Sequence, residues 1–353
     1  MKLQSIGLVA NPQAGKDIRR LVAYGNVVGN REKTTLIARF LLGLQATVQK
    51  EVKVVFMPDP YRLVQSALDS LPRRVPLLSF EEAPMPIFGD ATDTVAFTDF
   101  AVNEARVDAL VTFGGDGTNR LVAKKSALVP IFPVAVGTNN VFPENLDPTL
   151  MGMALGFFLA GKVAPDRVLE RSKVLRIRRK NCSDVSDLAL VDVALASGNF
   201  IGARAVWDPR SLKMVAVTQA DPTRLGLSSI IARLLSISPQ EKRGAYAFLS
   251  SCGEKVQAVL APGLVREVGI EKFGIMEPGE ALVIAGESGV LALDGEREIL
   301  VRPSEELALV LEDTGPMKAN ARLILNFAQE GSVTHGQEGN HAQTGSYHGR
   351  GCN

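Results

Sequence analysis

Histidine is almost absent from the sequence. All three histidines, His335, His341 and His348, lie within the last nineteen residues. That segment is rich in glycine, glutamine and asparagine, and it has too few aliphatic residues to offset its chain entropy by burial. We therefore expect a folded body without histidine, which excludes Ser-His-Asp and Cys-His sites and histidine-ligated metals there. Acid–base chemistry must then use aspartate, glutamate, lysine or tyrosine.

Cysteine pairs, long apolar runs and an excess of one charge are missing as well. Three scattered cysteines, Cys182, Cys252 and Cys352, predict neither a disulfide framework nor a zinc site. The apolar runs are too short to span a bilayer, and the first residues lack the pattern of a signal peptide. Lys and Arg number 39 against 38 Asp and Glu, so charge favours neither nucleic acid nor a membrane as partner. We expect a cytoplasmic protein with reduced thiols.

The apolar pattern changes along the chain. Strand-like runs alternate with helical patterns in the first half, which predicts an α/β domain with a doubly wound parallel sheet. From about Lys173 onward, short strands separated by turns predict a mostly β, antiparallel domain. The predicted division is an α/β nucleotide-binding domain at 1–165, a β-rich substrate domain at 166–328 and a disordered tail at 329–353.

A first polar loop, "NPQAGK", follows the first predicted strand. A Walker A loop would need glycine and serine or threonine at two positions where Ala10 and Asp17 stand, so that motif is excluded. Asn11, Gly15 and Lys16 still offer polar groups to an anion. Phosphate binding and a plain strand–turn both remain open for this loop alone.

A second loop, "FGGDGTNR", lies between a predicted strand and a predicted helix. Arg120 stands where a Rossmann fingerprint needs glycine, so that motif is excluded too. Gly114, Gly115 and Gly117 would let backbone amides approach a phosphate, and the helix N-terminus favours an anion. We expect Thr118 to cap this helix.

Asp116 lies in the middle of that loop. A carboxylate next to phosphates is repelled unless it manages a cation or a proton. It would either bind a Mg²⁺ ion that bridges the phosphates or accept the proton of an attacking hydroxyl group. The alternative is a solvated aspartate in an Asp-Gly turn, and the context favours a functional role.

A third loop, "AVGTNNVFPENLDP", again follows a predicted strand. Its small polar residues are Gly137, Thr138, Asn139 and Asn140. Ligands of open α/β sheets bind at the carboxyl ends of the strands. We therefore expect Asn139 and Asn140 to join the first two loops in one nucleotide site.

These three motifs, in this order and spacing, resemble a kinase superfamily. "NPQAGK", "GGDGT" and "VGTNN" are similar to loops of the ATP-NAD kinases, the diacylglycerol and sphingosine kinases, and the acetoin catabolism protein X (AcoX) group. "FPENLDP" and the Asp294–Gly295 pair in "LALDGERE" extend the resemblance over about residues 3–325. "YGNVVGNREKTTLIARFLLGL", "SGNFIGARAVWDP" and "DPTRLGLSSI" look most similar to the AcoX branch.

The resemblance implies an N-terminal α/β domain that binds ATP with Mg²⁺, followed by a β-rich domain. It also implies that Asp116 is the base or the carboxylate that organises the metal. NAD kinases carry an Asn-Glu pair at a strand start of the second domain, where this chain has Val191 and Asp192. Asp192, Asp208 and Asp294 are the candidates on the acceptor side.

The sequence thus predicts an ATP-dependent kinase that transfers the γ-phosphoryl group to a hydroxyl group. NAD⁺, giving NADP⁺, is the first acceptor expected, and a small hydroxylated metabolite linked to acetoin catabolism is the second. A nucleotide-sensing regulatory protein without catalysis is an alternative from another class. No nucleic acid or membrane partner is expected, and assembly into a homo-oligomer stays open.

Overall fold

A computed structural model describes most of the chain. The described residues are 3–15, 23–25, 28–71, 74–137, 140–179, 185–198 and 208–337. Three positions of the predicted loops, Lys16, Thr138 and Asn139, lie outside these ranges. Within the described ranges, no helix has both the length and the hydrophobicity needed to cross a bilayer.

The first domain is built on a seven-stranded sheet. In sheet order its strands are β3 (Leu78–Glu82), β2 (Val52–Phe56), β1 (Gln4–Ala10), β4 (Ala109–Gly114), β5 (Ile131–Ala135), β17 (Met317–Ala319) and β6 (Leu169–Arg171). All neighbours are parallel except β17 and β6, which are antiparallel. Every residue of β1 after the first is buried, because helices cover both faces of a parallel sheet.

Helices pack on the two faces of this sheet. They are α1 (Asn30–Thr47), α2 (Leu63–Asp69), α3 (Ala91–Asn103), α4 (Asp116–Ala123), α5 (Pro148–Leu159) and α6 (Pro165–Val168). Successive residues of β1 point to opposite faces. Leu8 therefore joins the apolar cluster of Phe40 in α1, whereas Val9 joins that of Phe97 in α3.

The second domain consists of two antiparallel sheets. One sheet has the order β12 (Leu264–Met276), β11 (Gly244–Ala261), β10 (Leu212–Val217), β9 (Asp192–Ala196), β14 (Gly289–Leu293) and β15 (Glu296–Val301), and the other β13 (Ala281–Ala285), β16 (Glu306–Glu312), β7 (Val174–Arg179) and β8 (Val185–Ala189). Met214 and Ala216 of β10 pack towards the smaller sheet. Val215 and Val217 pack towards the short helix α7 (Ser228–Ala232).

The predicted fold class, an α/β domain followed by a mostly β domain, is confirmed. The division at residue 165 differs from the strand pairing, because β6 and β17 both belong to the first sheet. The chain thus returns to its first domain after completing the second. The last helix, α8 (Ala321–Gln337), packs on that domain through Ala321 and Ile324. It extends past residue 329, where the sequence predicts the tail to begin.

Candidate functional site

The carboxyl ends of β1, β4 and β5 bring the three predicted loops together. Ala10 lies opposite Phe113 on one side of β4, and Gly114 lies opposite Ala135 on the other. The loops line a cleft of about 250 Å³. The opposite wall belongs to the β-rich domain and includes Asp192, Asp294 and Glu296.

Glycine allows the second and third loops to touch. A Cβ atom on Gly137 would lie 3.0 Å from the Cα of Gly115 and 2.6 Å from Asn140 Oδ1. Gly115 and Gly117 both line the cleft. Gly114 ends β4, is buried, and packs against Thr118 without room for a side chain. Its role is therefore to let α4 start close to the strand.

Asp116 is the first residue of α4 rather than part of a solvated turn. Its side chain is 9% exposed and lines the cleft. The carboxylate accepts hydrogen bonds from the backbone N–H of Val141, at 3.1 and 3.2 Å, and of Phe142, at 2.8 Å. The aspartate thus ties the start of α4 to the third loop.

Thr118 does not cap α4, contrary to the sequence-based expectation. The helix begins one residue after Gly115, so Thr118 already lies in its first turn, and no side chain caps the helix. The Thr118 hydroxyl instead accepts a hydrogen bond from Asn11 Nδ2 at 2.8 Å. Asn11 Oδ1 accepts from the N–H of Gln13, so Asn11 holds the first loop against the second.

The remaining loop residues have structural roles that can be read directly. Gly15 has a φ of +69°, which favours glycine, and it lines the cleft. Asn140 closes the third loop on itself: its Oδ1 accepts from Gly137 N at 3.0 Å and its Nδ2 donates to Gly137 O at 2.6 Å. The predicted residues Lys16 and Asn139 lie outside the described ranges.

Asp294 is a second buried carboxylate that holds backbone amides. It accepts hydrogen bonds from the N–H groups of Leu190, Val191 and Asp192, the closest at 2.7 Å. Burial raises the pKa of Asp294 to about 7, and the negative charge of Asp116 adds to this, against the opposing effects of the amides and Arg120. The two aspartates are therefore electrostatically coupled across the cleft.

The three acceptor-side candidates lie in different places. Asp192 and Asp294 both line the cleft. Asp208 lies elsewhere: it caps a short 3₁₀ turn through the N–H of Arg210 and pairs with the Arg210 guanidinium at 2.8 Å. That ion pair holds the pKa of Asp208 below its usual range.

Sequence reasoning missed a buried ion pair beside the loops. Arg120 of α4 is 2% exposed, and its Nη1 lies 3.1 Å from Asp187 Oδ1 in β8. Lys124, one turn later, approaches the same carboxylate at 2.9 Å. The sequence marked Arg120 only as a departure from the Rossmann pattern. Arg120 and Lys124 are four residues apart, so both side chains lie on one face of the helix. This spacing could have indicated that they share a partner.

Glu296 is another cleft residue that the sequence did not single out. Its carboxylate lies against Gly117, where an added Cβ would come within 3.4 Å of Oε1. It directly follows the Asp294–Gly295 pair, which the sequence analysis had identified. Glu296 adds negative charge to the wall that faces α4.

The far end of the cleft is formed by the loops after β2 and β3. Buried Asp59 accepts hydrogen bonds from the N–H of Tyr61 and Leu63, and burial raises its pKa. Buried Asp93 accepts from the N–H of Phe88 and Gly89. These carboxylates fix the loop backbones next to the cleft.

A cage of protein ligands for a metal ion is not found in the described ranges, where no three Asp, Glu, His or Cys side chains converge suitably. Mg²⁺ in phosphoryl-transfer enzymes needs only one or two carboxylates, because substrate phosphates and water supply the other ligands. Asp116, at the cleft wall, fits that smaller requirement.

Comparisons with known proteins agree with this architecture. The family model of the ATP-NAD kinase N-terminal domain matches residues 6–163, and that of the acetoin catabolism protein X C-terminal domain matches residues 173–314. A yeast NADH kinase, crystallised with NADH, superposes with a TM-score of 0.50 at 16% identity, covering 99% of this chain and 91% of its own. At that identity, the similarity concerns the fold.

A curated relative gives the family directly. Acetoin catabolism protein X of Cupriavidus necator is 34% identical over 319 residues, which cover 87% of this chain and 88% of the relative. Its length matches both domains, and the two family models divide the chain at the same place as the two sheet systems. The chain belongs to the acetoin catabolism protein X family. Its first domain matches the NAD kinase model, and its β-rich domain matches the C-terminal model of this family.

Proposed function

We propose that the protein is an ATP-dependent phosphotransferase whose active site is the cleft. The observation that carries this proposal is the start of α4 at the cleft wall, with Gly115 and Gly117 on either side of Asp116. A helix N-terminus presents backbone N–H groups and a favourable dipole to an anion, and glycine permits close approach. The triphosphate of ATP would bind there, with Asn11 and Gly15 on its first-loop side.

Asp116 would act on the acceptor hydroxyl group. Its hydrogen bonds to Val141 and Phe142 fix the carboxylate in one position, which favours a role in orienting or deprotonating the attacking oxygen. Mg²⁺ bound with the nucleotide would neutralise phosphate charge, with Asp116 as its candidate protein ligand. The acceptor would enter from the β-rich domain, next to Asp192 and Glu296.

Two acceptors remain, and different observations favour each. NAD⁺ is supported by the NAD kinase type of the first domain. A small hydroxylated metabolite is supported by the name of the curated relative, which refers to acetoin catabolism.

The test is to incubate the purified protein with Mg·ATP and each acceptor. We expect ADP and a phosphorylated acceptor, which is NADP⁺ if NAD⁺ is the substrate. Asp116→Asn should remove at least about 99% of the turnover, because positioning of the attacking oxygen is lost. The exposed Asp313→Asn is the matched control and should stay active. Saturable nucleotide binding without transfer to any acceptor would instead support the regulatory alternative.

A further inference from the structure

Lys33 is a buried cation that the proposed reaction does not use. It lies at the start of α1, one helical turn before Ile37 and two turns before Leu41, so it shares the face that this helix buries. Its side chain is 1% exposed. An ammonium group at such a core position loses its hydration and has to be held by hydrogen bonds. The contacts of Lys33 therefore indicate what this cation does.

The Lys33 ammonium holds the first loop. Its Nζ donates to the backbone carbonyl oxygen of Pro12 at 2.6 Å, and Asn30 Oδ1 lies at 3.4 Å. Hydrogen bonds from a charged donor are short and strong, so the bond to Pro12 is the stronger of these two. Proline has no N–H group, which leaves the carbonyl as the group through which the backbone of Pro12 can be fixed. Lys33 thus joins α1 to the first loop.

Asn11 holds the same loop from another side. Its side chain donates to Thr118 Oγ1 at 2.8 Å, and its backbone N–H donates to the carbonyl oxygen of Phe113 at 3.1 Å. These bonds tie the start of the first loop to α4 and β4. Together, Asn11 and Lys33 attach two consecutive residues of the loop to different elements, which limits the positions that the loop can take.

The carbonyl group of Pro12 is directed away from the cleft. Pro12 lines the cleft together with Gln13 and Ala14, whereas Lys33 is not among the described residues that line it. Because Lys33 is buried, its ammonium lies behind the loop, and the Pro12 oxygen that bonds to it points into the protein. A carbonyl oxygen that faced the cleft would instead present partial negative charge to a phosphate.

Basic side chains are scarce at the cleft wall. Among the described residues that line the cleft, Arg120 is the only basic one, and its guanidinium is paired with Asp187. Acidic side chains are more numerous there and include Asp294 and Glu296. A triphosphate in this cleft therefore gains from a cation close behind the first loop, since charges interact more strongly in a poorly hydrated interior than in water.

We propose that Lys33 is a positioning residue for the phosphates of the bound nucleotide. It keeps the Pro12 oxygen turned away from them, and it places a positive charge behind the loop that meets them. Because Lys33 does not line the cleft in the described part of the chain, it acts through the loop rather than by contact with ATP. This inference rests on the proposed function, since it requires the nucleotide to bind with its phosphates at the first loop.

The test is calorimetric titration of the full chain with Mg·ATP, for the wild type and for Lys33→Met, which removes both the charge and the donor. We expect the variant to bind at least about tenfold more weakly, because a charge-assisted hydrogen bond that orders the loop is lost. In the kinase assay, the KM for ATP should rise by a similar factor while the KM for the acceptor stays unchanged. Lys33→Arg keeps a cationic donor and should recover part of the affinity.

Leu41→Ala is the matched control for a loss of stability alone. Leu41 is fully buried two turns further along the same helix, and its truncation leaves a cavity in the core. This variant should melt at a lower temperature but bind Mg·ATP with the affinity of the wild type. Equal affinity of Lys33→Met and the wild type would overturn this inference and leave the proposed function intact. A wild type that binds no Mg·ATP would instead overturn the proposed function, and this inference with it.

Discussion

Asp116 and Asp294 act alike at the level of single residues. Each is a buried carboxylate that accepts hydrogen bonds from consecutive backbone N–H groups of a neighbouring segment. Such charge-assisted bonds are stronger than neutral ones. The two aspartates therefore set the positions of two backbone segments beside the cleft. Their mutual repulsion contributes to the raised pKa of Asp294.

Asp294 predicts a pH-dependent contribution to stability. Its pKa is about 7 in the folded chain against 3.8 for the unperturbed group, so folding takes up a proton between these values. The contribution is fully present below pH 3.8 and is lost as the pH rises through 7. Its upper limit is about 4 kcal/mol. Asp294→Asn keeps an oxygen acceptor for the amides but does not titrate.

The measurement is urea unfolding of the wild type and of Asp294→Asn from pH 4.5 to 8. We expect the stability of the wild type relative to the variant to fall over this range and to level off near its upper end. Comparing the two proteins at each pH cancels the other titrating groups. Parallel pH profiles would show that Asp294 has the same pKa in the folded and unfolded chain.

For single residues, the sequence predicts which side chains matter better than it predicts what they contact. The three glycines around Asp116 were enough to predict a loop with an accessible backbone, because glycine permits conformations and close approaches that other residues do not. Its hydrogen-bond donors, Val141 and Phe142, are backbone groups and leave no trace in residue identity. The cap was wrongly assigned to Thr118 because the helix starts three residues earlier than a cap at this position would imply.

At the level of elements, α4 is fastened to the β-rich domain by the Arg120–Asp187 ion pair. Replacing Arg120 by Met removes a buried cation, and Lys124 then remains as a cation in contact with Asp187. Breaking a buried pair from one side is strongly destabilising, so we expect a loss of roughly 3 kcal/mol in the free energy of unfolding. Urea titration at pH 7 would measure it.

Lys124→Met provides the comparison, because its ammonium is 29% exposed and contacts the same carboxylate. Exposed ion pairs contribute at most about 1 kcal/mol, so this variant should unfold nearly as the wild type does. Equal losses for both variants would mean that burial of Arg120 adds nothing to the attachment of α4.

Element prediction succeeded where patterns were long and failed where they were short. The alternation of strands and helices before residue 165 predicted the parallel sheet, since buried parallel strands are continuous apolar runs. β6 and β17 have three residues each, and β17 contains Lys318. Neither is long enough to show the alternation of apolar and polar residues by which a strand is predicted. Their pairing depends on contacts between distant parts of the chain.

At the scale of the whole molecule, the first domain is discontinuous. β17 lies between β5 and β6, and Ala319, Ala321 and Ile324 are buried in the core around β1. The β-rich domain is thus an insertion between two parts of one sheet system. A prediction that divides the chain into consecutive domains cannot describe this topology, because the first sheet takes strands from both sides of the β-rich domain.

Truncation tests this dependence. A chain that ends at Gly315 lacks β17 and α8, which leaves β6 without a neighbour and exposes the apolar groups that α8 covers. We expect its melting temperature to fall by at least about 10 °C, because several kilocalories of burial are lost and each shifts the transition by a few degrees. A chain that ends at Gln337 retains every described residue and should melt like the full-length protein. If the shorter chain also melts unchanged, the first domain is complete without its C-terminal part, and the two segments are joined less tightly than their hydrogen bonding implies.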